Sequence, residues 1–273
     1  MSQKVVFLTG AASGIGLETA KALLERGDTL WATDRDATGL EPLARMGART
    51  ATVDVTSEED LHACVNAAIA KDGKIDAVIA NAGYANMGPF ELVSIEDAQR
   101  QFDVNVFGVA RTINATLPHM RERGSGVIIA TSSILAHVSY PMMSWYCASK
   151  HALEAMMDAL RAELYNSGIE VVKINPGAIK TKFASTGAAE FDRAILRTND
   201  PVYQERLKSV SKSLEKQMGA GDLPETIANV MVQAIHAERP KVRYMPNKQA
   251  RQLLAMKRIL PARRLDKIFA AAR

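Results

Sequence analysis

Three glycines, Gly10, Gly14 and Gly16, stand in the stretch Thr9-Gly10-Ala11-Ala12-Ser13-Gly14-Ile15-Gly16. Val5–Leu8 before them reads as a buried strand, and Leu17–Arg26 after them as a helix with Ala and Leu on one face. A strand that turns directly into a helix puts the helix's free N–H groups and positive dipole end at the turn, where a pyrophosphate can bind. Glycine is needed where φ is positive or where backbone must approach a ligand closely. The same turn also occurs without a ligand. Strand before, helix after and an acid at the end of the next strand tip the reading to function. Gly10, Ser13, Gly14, Ile15 and Gly16 are therefore the expected phosphate-binding residues.

The alternation begun there continues. Thr29–Thr33, Thr50–Val53, Ile75–Ala80, Gly126–Thr131 and Ile169–Ile174 read as strands, with a last helix–strand pair at Pro224–Ala237 and Val242–Met245. Between them lie helical stretches. One opens at Ser57, an N-cap with Asp60 three residues on, close to a capping box. Another runs unbroken over Ile95–Arg121. Strands apolar throughout and separated by helices imply a parallel sheet covered on both faces. The expectation is an α/β, Rossmann-type doubly wound parallel sheet in one domain over residues 1–246. From Ala178 to Gly221 the pattern weakens, with a helix expected near Val202–Met218, as in a substrate lid.

Asp34 closes the second strand, where a carboxylate can accept hydrogen bonds from the adenosine ribose and repel the extra phosphate of NADP. Arg35 beside it favours that phosphate. A carboxylate facing the ribose must be displaced or screened first, so NAD is expected over NADP. Tyr146 and Lys150 lie four apart in a helical stretch and share a face. A tyrosine with a pKa near ~10 is a poor base at neutral pH, and a neighbouring ammonium favours its phenolate. Tyr146 is then the general acid or base, Lys150 also holds the nicotinamide ribose, and Ser133, at a strand end thirteen residues before Tyr146, stabilises the substrate oxygen. Each residue alone has a bland alternative, as an interface aromatic, a solvated charge or a strand-end cap.

The glycine spacing together with Tyr146-Cys147-Ala148-Ser149-Lys150 resembles the classical short-chain dehydrogenases/reductases. The resemblance runs from about residue 4 to 245. It takes in Asp54-Val55, Asn81-Ala82-Gly83, Asn105 in Asp-Val-Asn-Val-Phe-Gly, Ser132-Ser133, and Pro176-Gly177 with Thr181, in that order. The usual double asparagine is here Ala80-Asn81, and the C-terminal segment exceeds the minimal family core. What the resemblance implies is a nicotinamide-dependent oxidoreductase forming a homodimer or homotetramer. Asn105 would hold a water linking Lys150 to solvent. Asp54 and Val55 would flank the adenine, Asn81 and Gly83 the ribose, and Ile179 and Thr181 the nicotinamide amide, with Ala82, Pro176 and Gly177 also binding the cofactor. Val55 and Ile179 read equally well as core.

Ile134, Leu135, His137, Tyr140, Met142, Met143, Trp145, Phe183, Phe191 and Ile195 gather where the family places its substrate, and suit an apolar pocket as well as ordinary core. The motif style is similar to the retinol and hydroxysteroid dehydrogenase branch, which implies an alcohol or ketone on an apolar frame. Residues 247–273 form a basic extension with one acid, Asp266, broken at Pro261. Packing of its apolar stripe on the core is favoured over contact with anionic membrane, and nucleic acid is not expected. Cys64 and Cys147 lie far apart, the five histidines show no ligand spacing, and no apolar run nears the ~20 residues of a bilayer span. The expectation is a cytoplasmic protein with no metal. A non-catalytic NAD(P)-binding regulator on the same fold is the competing reading, and an epimerase or dehydratase a further one.

Overall fold

The computed structural model describes residues 2–181, 191 and 193–271. A seven-stranded sheet has the order β3-β2-β1-β4-β5-β6-β7. Its strands are β1 Val5–Thr9, β2 Thr29–Asp34, β3 Arg49–Thr52, β4 Ala77–Ala80, β5 Gly126–Thr131, β6 Ile169–Ile174 and β7 Arg243–Tyr244. Every neighbouring pair is parallel. The order reverses between β1 and β4, which opens a crevice beyond the carboxyl ends of these strands.

Both faces are covered. On one, Leu61 and Val65 of α3 (Glu58–Asp72), Val109 and Ile113 of α5 (Val109–Arg123), and Leu153 and Met157 of α6 (Ser144–Glu163) pack on Phe7, Val78 and Ile128. On the other, Ala20 and Leu23 of α1 (Gly14–Glu25), Leu40 and Leu43 of α2 (Ala37–Arg45), and Ile227 and Met231 of α8 (Pro224–His236) pack on Val6, Leu8 and Ile129. The central strands β1, β4 and β5 are largely apolar because neither face meets water, whereas the edge strands β3 and β7 are polar and partly exposed.

Two local expectations change. The helix read as unbroken over Ile95–Arg121 is α4 (Ile95–Phe102), a π turn (Asp103–Gly108) and then α5. A Cβ on Gly108 would lie 2.8 Å from the Val55 side chain, so this turn is pressed against the end of the third strand's loop. At α3, Ser57 caps the Asp60 N–H at 3.1 Å, but the Asp60 carboxylate accepts from the Asp54 N–H at 3.3 Å instead of closing the box.

Asp76 ties the opposite end of the sheet together. Its side chain accepts from the Val5 N–H at 2.9 Å and from Arg123 at 3.1 Å, and pairs with Lys74 at 2.9 Å. Burial opposes its charge, but these donors outweigh burial and hold its carboxyl below the usual range. A depressed folded pKa gives stability that is present above the ordinary value and lost as pH falls through the folded one. Asp76→Ala is expected to lower unfolding stability by about 2–3 kcal/mol at pH 7, with a smaller gap to the parent near pH 3. Urea titrations at both pH values check this; equal midpoints at pH 7 contradict it.

The basic extension forms α9 (Lys248–Ile259) and α10 (Ala262–Ala271), separated at Pro261 as expected. Its Ala250, Leu253, Leu254 and Phe269 pack on Ile134, Val138 and Leu135, and Phe269 meets the Tyr140 ring edge-on at 5.4 Å. Part of the apolar stripe thus packs on the protein beside the loop that follows β5, while Ile259 and Ile268 stay exposed. Among the described residues no helix is long and apolar enough to cross a membrane.

Candidate active site

The glycine turn follows β1 at the crevice. Gly10 and Gly14 have φ of +70° and +55°, in the left-handed region. Gly16 is fixed by space: a Cβ there would lie 1.9 Å from the Gly10 carbonyl oxygen. The Ser13 side chain makes no capping bond at α1, as is also true at the starts of α6, α8 and α9. The first turn of α1 keeps its donors for another acceptor. This uncapped end, set against a turn that admits no side chain, fits the pyrophosphate of a dinucleotide.

Asp34 ends β2 beside that turn. Its Oδ2 accepts from the Ala12 N–H and its Oδ1 from the Asp36 N–H, both at 3.0 Å. The carboxylate is half-buried and oriented, while Arg35 is exposed. Asn81, just after β4, is committed to the protein. Its Nδ2 donates to the carbonyls of Thr9 at 3.2 Å and Gly10 at 3.0 Å, and its Oδ1 accepts from Thr131 at 3.0 Å. It staples the ends of β1, β4 and β5, so Ala82 and the exposed Gly83 present backbone to the crevice. A Cβ on Gly10 would lie 2.8 Å from the Ala82 Cα, so the two turns touch. Asp54 is exposed, its carboxyl held below the usual range chiefly by the Thr56 N–H, with partial burial opposing. Val55 and Ile179 are buried, and Ile179 belongs to the core under α1 and α8.

The catalytic candidates converge at the ends of β5 and α6. Ser133, Tyr146 and Lys150 are buried, and the Ser133 side chain hydrogen-bonds Tyr146. The Lys150 ammonium lies 5.9 Å from the Tyr146 ring centroid and donates to the Thr131 carbonyl at 2.8 Å. A Cβ on Gly83 would come within 3.0 Å of Asn105 Oδ1 and 3.6 Å of Lys150 Nζ, so the turn after β4, the π turn and α6 meet there. Asn105, in the π turn, accepts from the Tyr84 N–H at 3.0 Å and donates to the Tyr84 carbonyl at 2.9 Å and to Ser149 at 3.1 Å. Burial pushes the Tyr146 phenol up to about 12, partly offset by Ser133, and burial pulls Lys150 down to about 8, partly offset by Glu154.

Pro176 and Gly177 follow β6. The Pro176 carbonyl accepts from the Ile134 N–H at 2.8 Å, and the Gly177 N–H donates to Asn247 at 2.7 Å. Thr181 reaches back over the glycine turn, 3.4 Å from where a Gly14 Cβ would stand. On the substrate side Met143, Tyr146, Cys147, Phe191, Leu207 and Val210 form one apolar cluster, with Leu135, Tyr140, Met142 and Ile195 packed on it. Helix α7 (Pro201–Gly219) covers it and reaches Tyr140 through Gln217 at 3.2 Å. Phe183 lies outside the described residues. Trp145 stacks on Phe90 at 5.4 Å. Ile134 turns instead to the C-terminal helices, and His137 to a polar cluster beneath Ser133, where its Nε2 lies 3.7 Å from Glu154.

Sequence reasoning missed Asn247, which joins the loop after β6 to Asp222 through its two amide atoms. It also missed the Thr131 carbonyl that receives Lys150, and the Glu154–Asn175 pair. Only the pair left a trace, an acid one turn beyond Lys150 in a stretch otherwise rich in Ala and Leu.

Residues 4–190 match the short chain dehydrogenase family. The chain is 33% identical over 268 residues to the uncharacterized oxidoreductase YbbO of Escherichia coli, covering 98% of this chain and 94% of that one. It is 30% identical to human 17-beta-hydroxysteroid dehydrogenase type 1, covering 94% and 81%. A Burkholderia phymatum short chain dehydrogenase/reductase solved with NAD superposes at a TM-score of 0.80 with 25% identity, covering 94% of this chain and 93% of that one. A Burkholderia cenocepacia short chain dehydrogenase solved with NADP gives 0.73 at 25% identity, covering 94% of each. The parallel sheet and the family match are thus those of a nicotinamide-dependent oxidoreductase. The chain belongs to the short-chain dehydrogenase/reductase family.

Proposed function

We propose that this enzyme interconverts an alcohol and a carbonyl on an apolar substrate, with Tyr146 as general acid and base. The observation that carries the reading is the convergence of Ser133, Tyr146 and Lys150 at the crevice, with Ser133 bonded to the phenol. A bound nicotinamide supplies the hydride in reduction and accepts it in oxidation. Ser133 donates to the substrate oxygen and stabilises its developing charge. Tyr146 gives that oxygen a proton in reduction and removes one in oxidation. Lys150 stabilises the phenolate and binds the nicotinamide ribose, and Asn105 holds the water that reconnects Lys150 with solvent.

The cofactor residues are those of the glycine turn, Gly10, Ser13, Gly14, Ile15 and Gly16, with Asp34 on the adenosine ribose. Asp54, Asn81, Ala82, Gly83, Pro176, Gly177 and Thr181 border the same crevice. NAD is preferred, because the Asp34 carboxylate is already oriented by two backbone N–H groups and meets a 2′-phosphate with like charge. Asp34→Ala is expected to raise NADP affinity relative to NAD by about tenfold or more, since a carboxylate–phosphate repulsion is worth ~1–2 kcal/mol at a half-exposed site. Cofactor titrations by nicotinamide fluorescence check this, and an unchanged ratio refutes the assignment.

Residues 1–246 form the catalytic unit, residues about 178–221 its lid, and residues 247–273 an extension over the wall of the substrate side. The apolar cluster under α7 supports an apolar substrate, as do the names of relatives such as the human hydroxysteroid enzyme. A panel of steroid, retinoid, aliphatic and aryl secondary alcohols, followed by reduced-nicotinamide absorbance, tests this reading. Turnover with an apolar member supports it. Cofactor binding with no turnover across the panel favours the regulator reading. We expect a homodimer or homotetramer, as the family resemblance implies.

A further inference from the structure

Beneath Ser133 lies a buried charged cluster that the proposed reaction does not use. Glu154, one turn beyond Lys150 on α6, is only 5% exposed. Its Oε2 lies 2.9 Å from Lys173 of β6 and 2.7 Å from Arg243 of β7. Its Oε1 accepts from Asn175 Nδ2 at 2.6 Å. The same Nδ2 donates to the carbonyl of Ser133 at 3.1 Å. Asn175 is fully buried just after β6. Its amide nitrogen has two hydrogens, which meet these two oxygens, with His137 Nε2 a longer third neighbour at 3.4 Å. The flipped amide would set its own oxygen against a carboxylate and a carbonyl, so its orientation is imposed.

We propose that Glu154 and Asn175 are positioning residues for the reaction: Glu154 orients Asn175, Asn175 pins the backbone of Ser133, and Glu154 sets a negative charge one helical turn from the Lys150 ammonium on the same helix. The proposal rests on the reading of Ser133 and Lys150 given above. Ionised groups hold ion-supported hydrogen bonds more strongly than neutral ones, so the clamp on Ser133 is stiffest while Glu154 is a carboxylate. Burial opposes that charge, but the Asn175 amide and the Lys173 ammonium beside it hold the carboxyl below its usual range. The charged and titratable groups facing it are Lys150 and Asp158 of α6, Lys173, Arg243 and His137. His151 acts on His137 in turn, and burial keeps His137 below its ordinary pKa. Glu154 lies one helical turn from Lys150, and its charge opposes the desolvation of that ammonium.

Two substitutions separate the two effects. Glu154→Gln removes the charge but keeps an oxygen that can accept from Asn175. Glu154→Asp keeps the charge but withdraws it by one methylene from Asn175. Carbonyl reduction is measured from pH 6 to 10 together with cofactor affinity and melting temperature, and Tyr146→Phe serves as the separate control on the reaction itself. In Glu154→Gln the alkaline fall of kcat moves to lower pH by about half a unit or more, because Lys150 loses its proton sooner. In Glu154→Asp the profile stays in place while kcat falls about tenfold and cofactor affinity is kept. If Glu154→Gln does not fold, Asn175→Ser, which leaves the ion cluster intact, must lower kcat with an unmoved profile. Parent-like kcat and pH profiles in the variants, with only the melting temperature lowered, overturn the proposal. Turnover that persists in Tyr146→Phe would instead overturn the functional reading beneath it.

Discussion

Replacing Tyr146 by Phe is expected to lower turnover by about two to four orders of magnitude while leaving cofactor affinity within about twofold. The change deletes one oxygen from a buried ring. The ring keeps its place in the apolar cluster with Met143, Phe191 and Leu207, so folding is little affected. What is lost is the group that Ser133 holds by hydrogen bond and that Lys150 approaches. The same geometry sets a pH dependence. Burial raises the phenol to about 12, so it carries its proton at neutral pH and is ready to act as an acid. Oxidation needs the deprotonated form, which Lys150 supports only while charged, so its rate should rise from pH 7 toward about 8, where Lys150 titrates. Reduction needs the proton on Tyr146 and the charge on Lys150, and should decline above about 8, where Lys150 titrates. Steady-state kinetics in both directions test this, and a pH-independent oxidation rate that survives in Tyr146→Phe contradicts it.

Gly16→Ala should act on the cofactor with comparable force. The new methyl would stand 1.9 Å from the Gly10 carbonyl oxygen and 2.7 Å from Asn81 Nδ2. Neither can yield cheaply. Gly10 is backbone in a left-handed turn, and Asn81 is the staple that joins β1, β4 and β5. Helix α1 must therefore move away from the end of β1, carrying its uncapped N–H groups out of line with the phosphate. Overpacking of this kind costs about 1–3 kcal/mol of stability, and cofactor affinity is expected to drop ~100-fold through loss of about 3 kcal/mol of binding. Gly219→Ala is the matched control, because nothing lies within 4 Å of that position. Calorimetric titration and melting temperatures decide it. Equal cofactor affinity in Gly16→Ala and parent would show that the turn is not the phosphate site.

The centre of the sheet was legible because β1, β4 and β5 are buried on both faces and so read as apolar runs, unlike the polar edge strands β3 and β7. Strand limits shift by a residue or two where a hydrogen-bonded ladder, not side-chain character, ends them. Thus β4 starts at Ala77, after Asp76 has bonded back to β1. The glycine turn, Ser133, Tyr146 and Lys150 were legible because their spacing is local. The break in the long helix was not, since it depends on Gly108 meeting Val55 from a distant loop. His137 looked like a pocket residue by its neighbours in sequence, yet its partners, Glu154 and Asn175, lie on α6 and after β6. Asn247 gave no local signal at all, since its role exists only once the extension has folded back onto Gly177 and Asp222.

The most direct test of hydride transfer with proton relay at Tyr146 follows a label. A carbonyl substrate is reduced with nicotinamide bearing deuterium at C4, and the product alcohol is analysed by mass spectrometry. The account predicts one deuterium, bound to the carbinol carbon, from one face of the nicotinamide only, and no labelled product from Tyr146→Phe beyond a residual of about one part in a hundred. Product formed without deuterium on that carbon, or at an equal rate in the variant, would contradict it.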